Sequence, residues 1–184
     1  MTMWQREFIH GRRFKGQEGQ SLVETALTLP LLLGIGFNII NWGYLWFMVL
    51  ALSAAPRMGV QYATQGGAAG TASAVPSTTA VTNLVWDNVT NAVHGATTST
   101  VAVQVCTSAK GVSGTGSSTI AQCDQFGPAF TFPAPAADPE APVFVLDRVD
   151  VEYTVTPIIP GTAFNVILPA NLKFHRQVSM RSLY

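Results

Sequence analysis

The chain has 184 residues, only 11% of them charged, and a formal net charge of zero. That charged share is about half the usual one, and the balance gives no case for nucleic-acid binding, which rests on an excess of Lys and Arg. The length accommodates one membrane segment and one domain of about 130 residues, a common domain size.

Residues 1–19 are short, polar and basic, with Arg6, Arg12, Arg13 and Lys15, and read as a leader rather than as folded structure. From Thr25 to Pro56 no residue is charged, and Leu, Ile, Phe, Trp, Val and Ala dominate. About 20 apolar residues in a helix cross the hydrocarbon of a bilayer, so this run spans it with residues to spare. The first bases after the run are Arg57 and then Lys110. By the positive-inside rule this asymmetry places the N-terminus in the cytoplasm and everything after the run outside.

Two kinds of cut are consistent with such a segment. Ala51-Leu-Ser53 and Ser53-Ala-Ala55 offer small residues at signal-peptidase spacing, but the apolar stretch before them is about twice a signal core of roughly 7–15 residues. The alternative is a cut on the cytoplasmic side. Gly19 followed by Glu24 matches the type IV prepilin-peptidase pattern. The pair gains specificity from the basic leader before it and the long apolar helix after it.

The stretch Gly19-Gln-Ser-Leu-Val-Glu24-Thr-Ala-Leu-Thr-Leu-Pro30-Leu-Leu-Leu resembles the start of TadE-like proteins, minor pilins or pseudopilins of tight-adherence (Tad, type IVb) pilus systems. Ala54-Ala-Pro-Arg57-Met-Gly59-Val-Gln-Tyr62-Ala63 is similar to that family's Ala-Ala-Arg-x-Gly-Ala-Arg-x-Ala segment. Val149-Asp-Val151-Glu-Tyr153 and Met180-Arg181 are loosely similar to its terminal strands. Thr25 stands where the family often has Phe, and Pro56 where it has a helix-compatible residue. The resemblance implies cleavage after Gly19, leaving Gln20 as the new N-terminus. It also implies that Glu24 faces the free amine of a neighbouring subunit. A carboxylate at the edge of hydrocarbon is costly unless paired. The other reading of Glu24 is a solvated carboxylate at headgroup level, favoured by the helix dipole.

Within the span, Pro30 lacks a backbone donor and is expected to kink the helix one turn in. Gly34 and Gly36 leave shallow places for another helix. Asn38 and Asn41 share one face and bond either to a partner helix or to their own backbone. Trp42, Tyr44 and Trp46 fall at the outer interface as an aromatic belt. Phe47 to Ala55 exceeds what a bilayer needs and is expected to pack on the chain's own domain. Pro56 is expected to break or bend the helix, and Gln65-Gly-Gly67 to end it.

In the outer part, Ser77 reads as the cap of a second helix running to His94, with Val81, Leu84, Val85, Val89, Ala92 and Val93 as its apolar stripe. Thr100 to Val105 alternates as a strand ending at Cys106. Lys110 to Thr119 reads as a mobile Gly/Ser/Thr loop. Its Gly111-to-Gly116 stretch does not lead from a strand into a helix, as a phosphate loop would. An oxidising compartment makes a Cys106–Cys123 disulfide the natural reading, with two free thiols as the alternative. No Cys/His grouping has zinc-ligand spacing.

Phe126 to Pro142 carries five prolines and reads as irregular, with a short edge strand around Phe130-Thr-Phe132. Val143 to Thr156 is the clearest strand. Val149, Val151, Tyr153 and Val155 lie on its core side, while Arg148, Asp150, Glu152 and Thr154 lie on a solvated face. A calcium site with Asp138 and Glu140 fits no calcium loop. Pro157-Ile-Ile-Pro160-Gly161 forces a turn that exposes or tucks two isoleucines. Leu172 to Met180 reads as a final strand with His175 on its polar side.

The expected fold is α+β: a long N-terminal transmembrane helix, then a small extracytoplasmic domain with one further helix and an antiparallel sheet of three to five strands. The divisions are 1–19 leader, 20–63 span and spine, and 64–184 outer domain. No cofactor, metal or catalytic residue is expected. The expected surroundings are the inner membrane or a pilus. The partners are a prepilin peptidase, other pilins and the pilus assembly platform. The site residues are Gly19 and Gln20 for cleavage, Glu24 and Pro30 for assembly, and the cysteine pair. The rival is an uncleaved single-pass anchored protein whose outer domain binds a ligand or envelope partner.

Overall fold

In the computed structural model the described residues are 17–65, 75–135, 138, 140, 144–161 and 172–182. Helix α1 (Gln17–Gln65) runs without a break through both Pro30 and Pro56. The expected interruption at Pro56 therefore does not occur. A proline removes one hydrogen bond and crowds the preceding turn, a cost of about 3 kcal/mol. Here packing offsets that cost: Met48, Leu52 and Ala55 below Pro56 and Val60 and Ala63 above it are all buried in one core. Burial of several such side chains, at about 1.5–3 kcal/mol for each larger one, keeps the helix continuous across Pro56.

Helix α2 (Thr78–Ala92) begins at the expected cap, where Ser77 Oγ accepts the Ala80 N–H at 3.2 Å. Val81, Val85 and Val89 are fully buried at four-residue spacing, and Val93 continues the stripe just beyond the helix. The chain then forms β1 (Val101–Cys106), the short pair β2 (Val112–Ser113) and β3 (Ile120–Ala121), β4 (Cys123–Phe126), β5 (Val145–Thr154) and β6 (Lys173–Ser182). The main sheet is antiparallel in the order β4-β1-β5-β6, within the expected strand number. Both helices cover one face of it, with α1 against β5 and β6 and α2 against β1.

Two loop expectations are corrected. The stretch read as a mobile loop is folded into the β2–β3 pair, preceded by a 3-10 turn at Ser108–Lys110 and closed by another at Gly116–Ser118. Gly114 makes this possible: its φ is +94°, and a Cβ there would lie 2.3 Å from the Ser118 carbonyl oxygen. The edge strand expected at Phe130–Phe132 is instead Cys123–Phe126, a few residues earlier; residues 129–135 are irregular. Pro133 and Pro135 within it, and Pro128 just before, remove N–H donors that a ladder would need.

The strand directions fix which end of the domain lies near the free half of α1. Tyr44 Oη donates to the His94 carbonyl at 3.0 Å, and His94 follows the last turn of α2. Cys106 and the β2–β3 pair lie at the opposite end, where α2 begins and Lys110 meets Asp124.

Candidate functional site

The free half of α1 is the first functional surface. From Gly19 to Leu33 every residue is exposed, including Leu22, Val23, Leu27, Leu29, Leu31 and Leu32. Cover begins at Gly34 and becomes full at Asn41. Thr25 to Tyr44, counted from the first residue after Glu24, corresponds to about 30 Å of helix, close to the roughly 30 Å of a bilayer's hydrocarbon. Gly19, Gln20, Glu24 and Pro30 all lie on this half and are exposed. The Thr25 and Thr28 hydroxyls turn back to the Ser21 and Glu24 carbonyls at 2.9 and 3.0 Å, so neither hydroxyl is left unpaired in an apolar setting. A Cβ on Gly34 or Gly36 would meet no described atom within 4 Å, which keeps both open to approach.

The two asparagines behave differently, and Asn41 follows neither expected alternative. Asn38 Nδ2 donates to its own helix, at the Gly34 carbonyl, 2.8 Å away. Asn41 reaches the domain instead: its amide donates to the Ile159 carbonyl at 3.2 Å and accepts the Ile159 N–H at 3.1 Å. In the aromatic belt, Tyr44 rests on the domain, while Trp42 and Trp46 are exposed with ring centroids 6.0 Å apart.

The attached half of α1 is a structural part of the domain. Met48, Leu52 and Ala55 are at most 1% exposed. A signal-peptidase cut at Ser53 or Ala55 would remove Met48 and Leu52 from the core, which argues against those cuts. Gly59 lies where α1 meets α2: a Cβ there would stand 2.6 Å from Val85 Cγ2. Its place in the Ala54-to-Ala63 segment is thus explained by a close helix approach. Periodicity alone gave no sign of this.

At the far end, Cys106 and Cys123 are paired in a disulfide between β1 and β4. Beside it Asp124 accepts from Lys110 Nζ at 2.6 Å and from Thr78 Oγ1 at 2.7 Å. Those two donors, Lys110 first, hold the Asp124 carboxyl below its ordinary range. Asp147 is the opposite case. It is fully buried, and its one described bond is from the Ser108 N–H at 3.1 Å, so desolvation pushes its pKa up to about 6.

The β5 face expected to be solvated is buried instead. Arg148, Asp150 and Glu152 are 4%, 0% and 5% exposed. Arg148 grips Asp150 through two bonds, at 2.5 and 2.9 Å, and donates to the Pro133 carbonyl at 2.6 Å. His175 Nε2 stands 2.9 Å from the same Asp150 carboxylate, and Lys173 pairs with Glu152 at 3.3 Å. Phe130 and Phe132 lie against the His175 ring, and Lys173 sits over Phe130. The irregular 129–135 segment therefore roofs the polar face and is pinned there by Arg148 and Lys173. Asp138 and Glu140 both pair with Arg181 rather than forming a cation cage. Among the described residues, no group of three His, Cys, Asp or Glu side chains is placed to hold a metal.

Among the described residues, one helix is long and apolar enough to cross a membrane; it is free along its first half and built into an α+β fold along its second. Residues 19–68, which take in almost all of α1, match the family model described as TadE-like protein. No curated protein and no solved structure matches the chain.

Proposed function

We propose that the chain is a minor pilin or pseudopilin of a Tad-type pilus system, inserted in the inner membrane with its N-terminus in the cytoplasm. In this reading a prepilin peptidase cuts between Gly19 and Gln20. The processed subunit then leaves the bilayer by packing α1 against other pilins, into or beneath the fibre. Its work is assembly rather than chemistry. The observation that carries the reading is the TadE-like match lying on a helix whose first fifteen or so residues are bare while its second half is the domain's core. A surface of that kind is stable only in lipid or against other apolar helices.

Glu24 has a specific role in this proposal. Exposed at the entrance to a run that is uncharged from Thr25 to Pro56, its carboxylate pairs with the new amine of a neighbour's Gln20 once lipid is replaced by protein. Pro30, one to two turns further, leaves the Ala26 carbonyl without its usual helical donor. Shearing fibres from cells and probing them with an antibody to the outer domain tests the assembly reading. Signal in the fibre fraction supports incorporation. Retention with the membrane, together with normal fibres in a deletion strain, contradicts any part in assembly.

A further inference from the structure

The turn Pro157-Ile158-Ile159-Pro160-Gly161 sits where the domain meets the free half of α1, fixed there by the Asn41 amide. Counting about 20 residues from Thr25, the first residue after the Glu24 carboxylate, places the hydrocarbon boundary near Tyr44. Asn41 is one turn below that, so the turn lies at or just inside the boundary rather than above it. Its composition suits such a place. Pro157 and Pro160 have no N–H to leave unpaired. The N–H and carbonyl of Ile159 are both taken by Asn41, so these two backbone groups are satisfied by protein, as membrane depth requires. Ile158 is 42% exposed, and Trp42 at the same level of α1 is 41% exposed. No charged side chain occurs between Tyr153 and Gly161.

We propose that this turn is a second membrane contact, which seats the domain on the leaflet next to it with the Ile158 side chain in the acyl boundary. The occupant of this apolar patch is lipid because the patch is continuous with the span and its level is set by it. The inference rests on reading α1 as a span. Two contacts, one through the bilayer and one on it, would fix the tilt of the domain relative to the membrane and hold the disulfide end away from it. On extraction into an assembly, Ile158 must leave lipid with the helix.

The test uses the full chain in nanodiscs of phosphatidylethanolamine and phosphatidylglycerol, with a nitroxide label at one introduced cysteine. Both native cysteines are paired, so the introduced thiol is the one that reacts. Ile158→Cys is compared with Ile35→Cys, on the bare helix, and Ser117→Cys, in the disulfide-closed hairpin. The readout is collision with oxygen, which concentrates in lipid, relative to a water-soluble nickel chelate. The expected ratio at 158 is several-fold above that at 117 and approaches that at 35. A ratio at 158 equal to that at 117, with 35 in lipid, overturns the proposal and leaves the span intact. Shielding of 158 from both reagents means a protein cover and also overturns it. If 35 itself reads as aqueous, the span fails and the proposal fails with it.

Discussion

Gly59 of α1 and Val85 of α2 meet so closely that a Cβ on the glycine would lie 2.6 Å from Val85 Cγ2. Val149 Cγ2 and Val81 Cγ1 each lie 3.5 Å from the same Cβ position, so a larger side chain there meets three valines. Gly59→Leu is expected to overpack this crossing and cost about 1–3 kcal/mol, read as a fall in the unfolding midpoint of the solubilised chain. Gly34→Leu, placed in open space, is the matched control and should leave that midpoint unchanged.

The Cys106–Cys123 bond closes a loop with a sequence separation of 17. Chain-entropy reasoning assigns such a loop about 3 kcal/mol. Replacing both cysteines with alanine is expected to lower denaturant stability by about that amount, with the hairpin amides losing hydrogen-exchange protection first. Equal stability in the reduced and oxidised states would contradict the prediction.

Asp147 carries a pH dependence of definite sign. Its folded-state pKa is pushed up to about 6 from an ordinary 3.8, chiefly by desolvation. The native state thus holds the proton more tightly than the unfolded chain between those values. Stability falls as pH rises through this window, by about 3 kcal/mol in full, and the loss is complete above about pH 6. Asp147→Asn keeps the acceptor for the Ser108 N–H and removes the charge. It should raise the thermal midpoint at pH 7.5 and make little difference near pH 4.

The Arg148–Asp150 pair is sealed under the 129–135 segment, with Asp150 fully buried. Asp150→Leu leaves a buried guanidinium without its carboxylate and is expected to cost about 3–5 kcal/mol. Arg148→Met combined with Asp150→Leu should cost less than Asp150→Leu alone, because no unpaired charge remains. Strictly additive losses would show that the two residues act independently.

These cases also mark what local pattern conveys. The Val81–Val85–Val89 stripe, the Ser77 cap and the alternation of β5 are short-range signals, and each element stands where they placed it. Alternation says which β5 residues share a face but not what covers it. The cover is Phe132 and Pro133, from a segment with no periodicity of its own, so Arg148, Asp150 and Glu152 looked solvated. The two-residue strands β2 and β3 are too short to carry a period. Pro56 marked a helix break by local rules, and tertiary packing of Leu52, Ala55, Val60 and Ala63 overrode it. Of the candidate site, the apolar run is legible because it is continuous in the chain. The clamp from Asn41 to Ile159 crosses 118 positions, and no local rule reaches that far.

The central claim is that this chain is processed and released for assembly, and the most direct test is the N-terminus of the protein recovered from membranes. Mass spectrometry of the N-terminal peptide is expected to begin at Gln20, and Gly19→Leu should restore the longer form with its slower gel mobility. A mature chain that begins at Met1, with mobility unchanged by Gly19→Leu, would contradict the account and favour an anchored protein that keeps its leader.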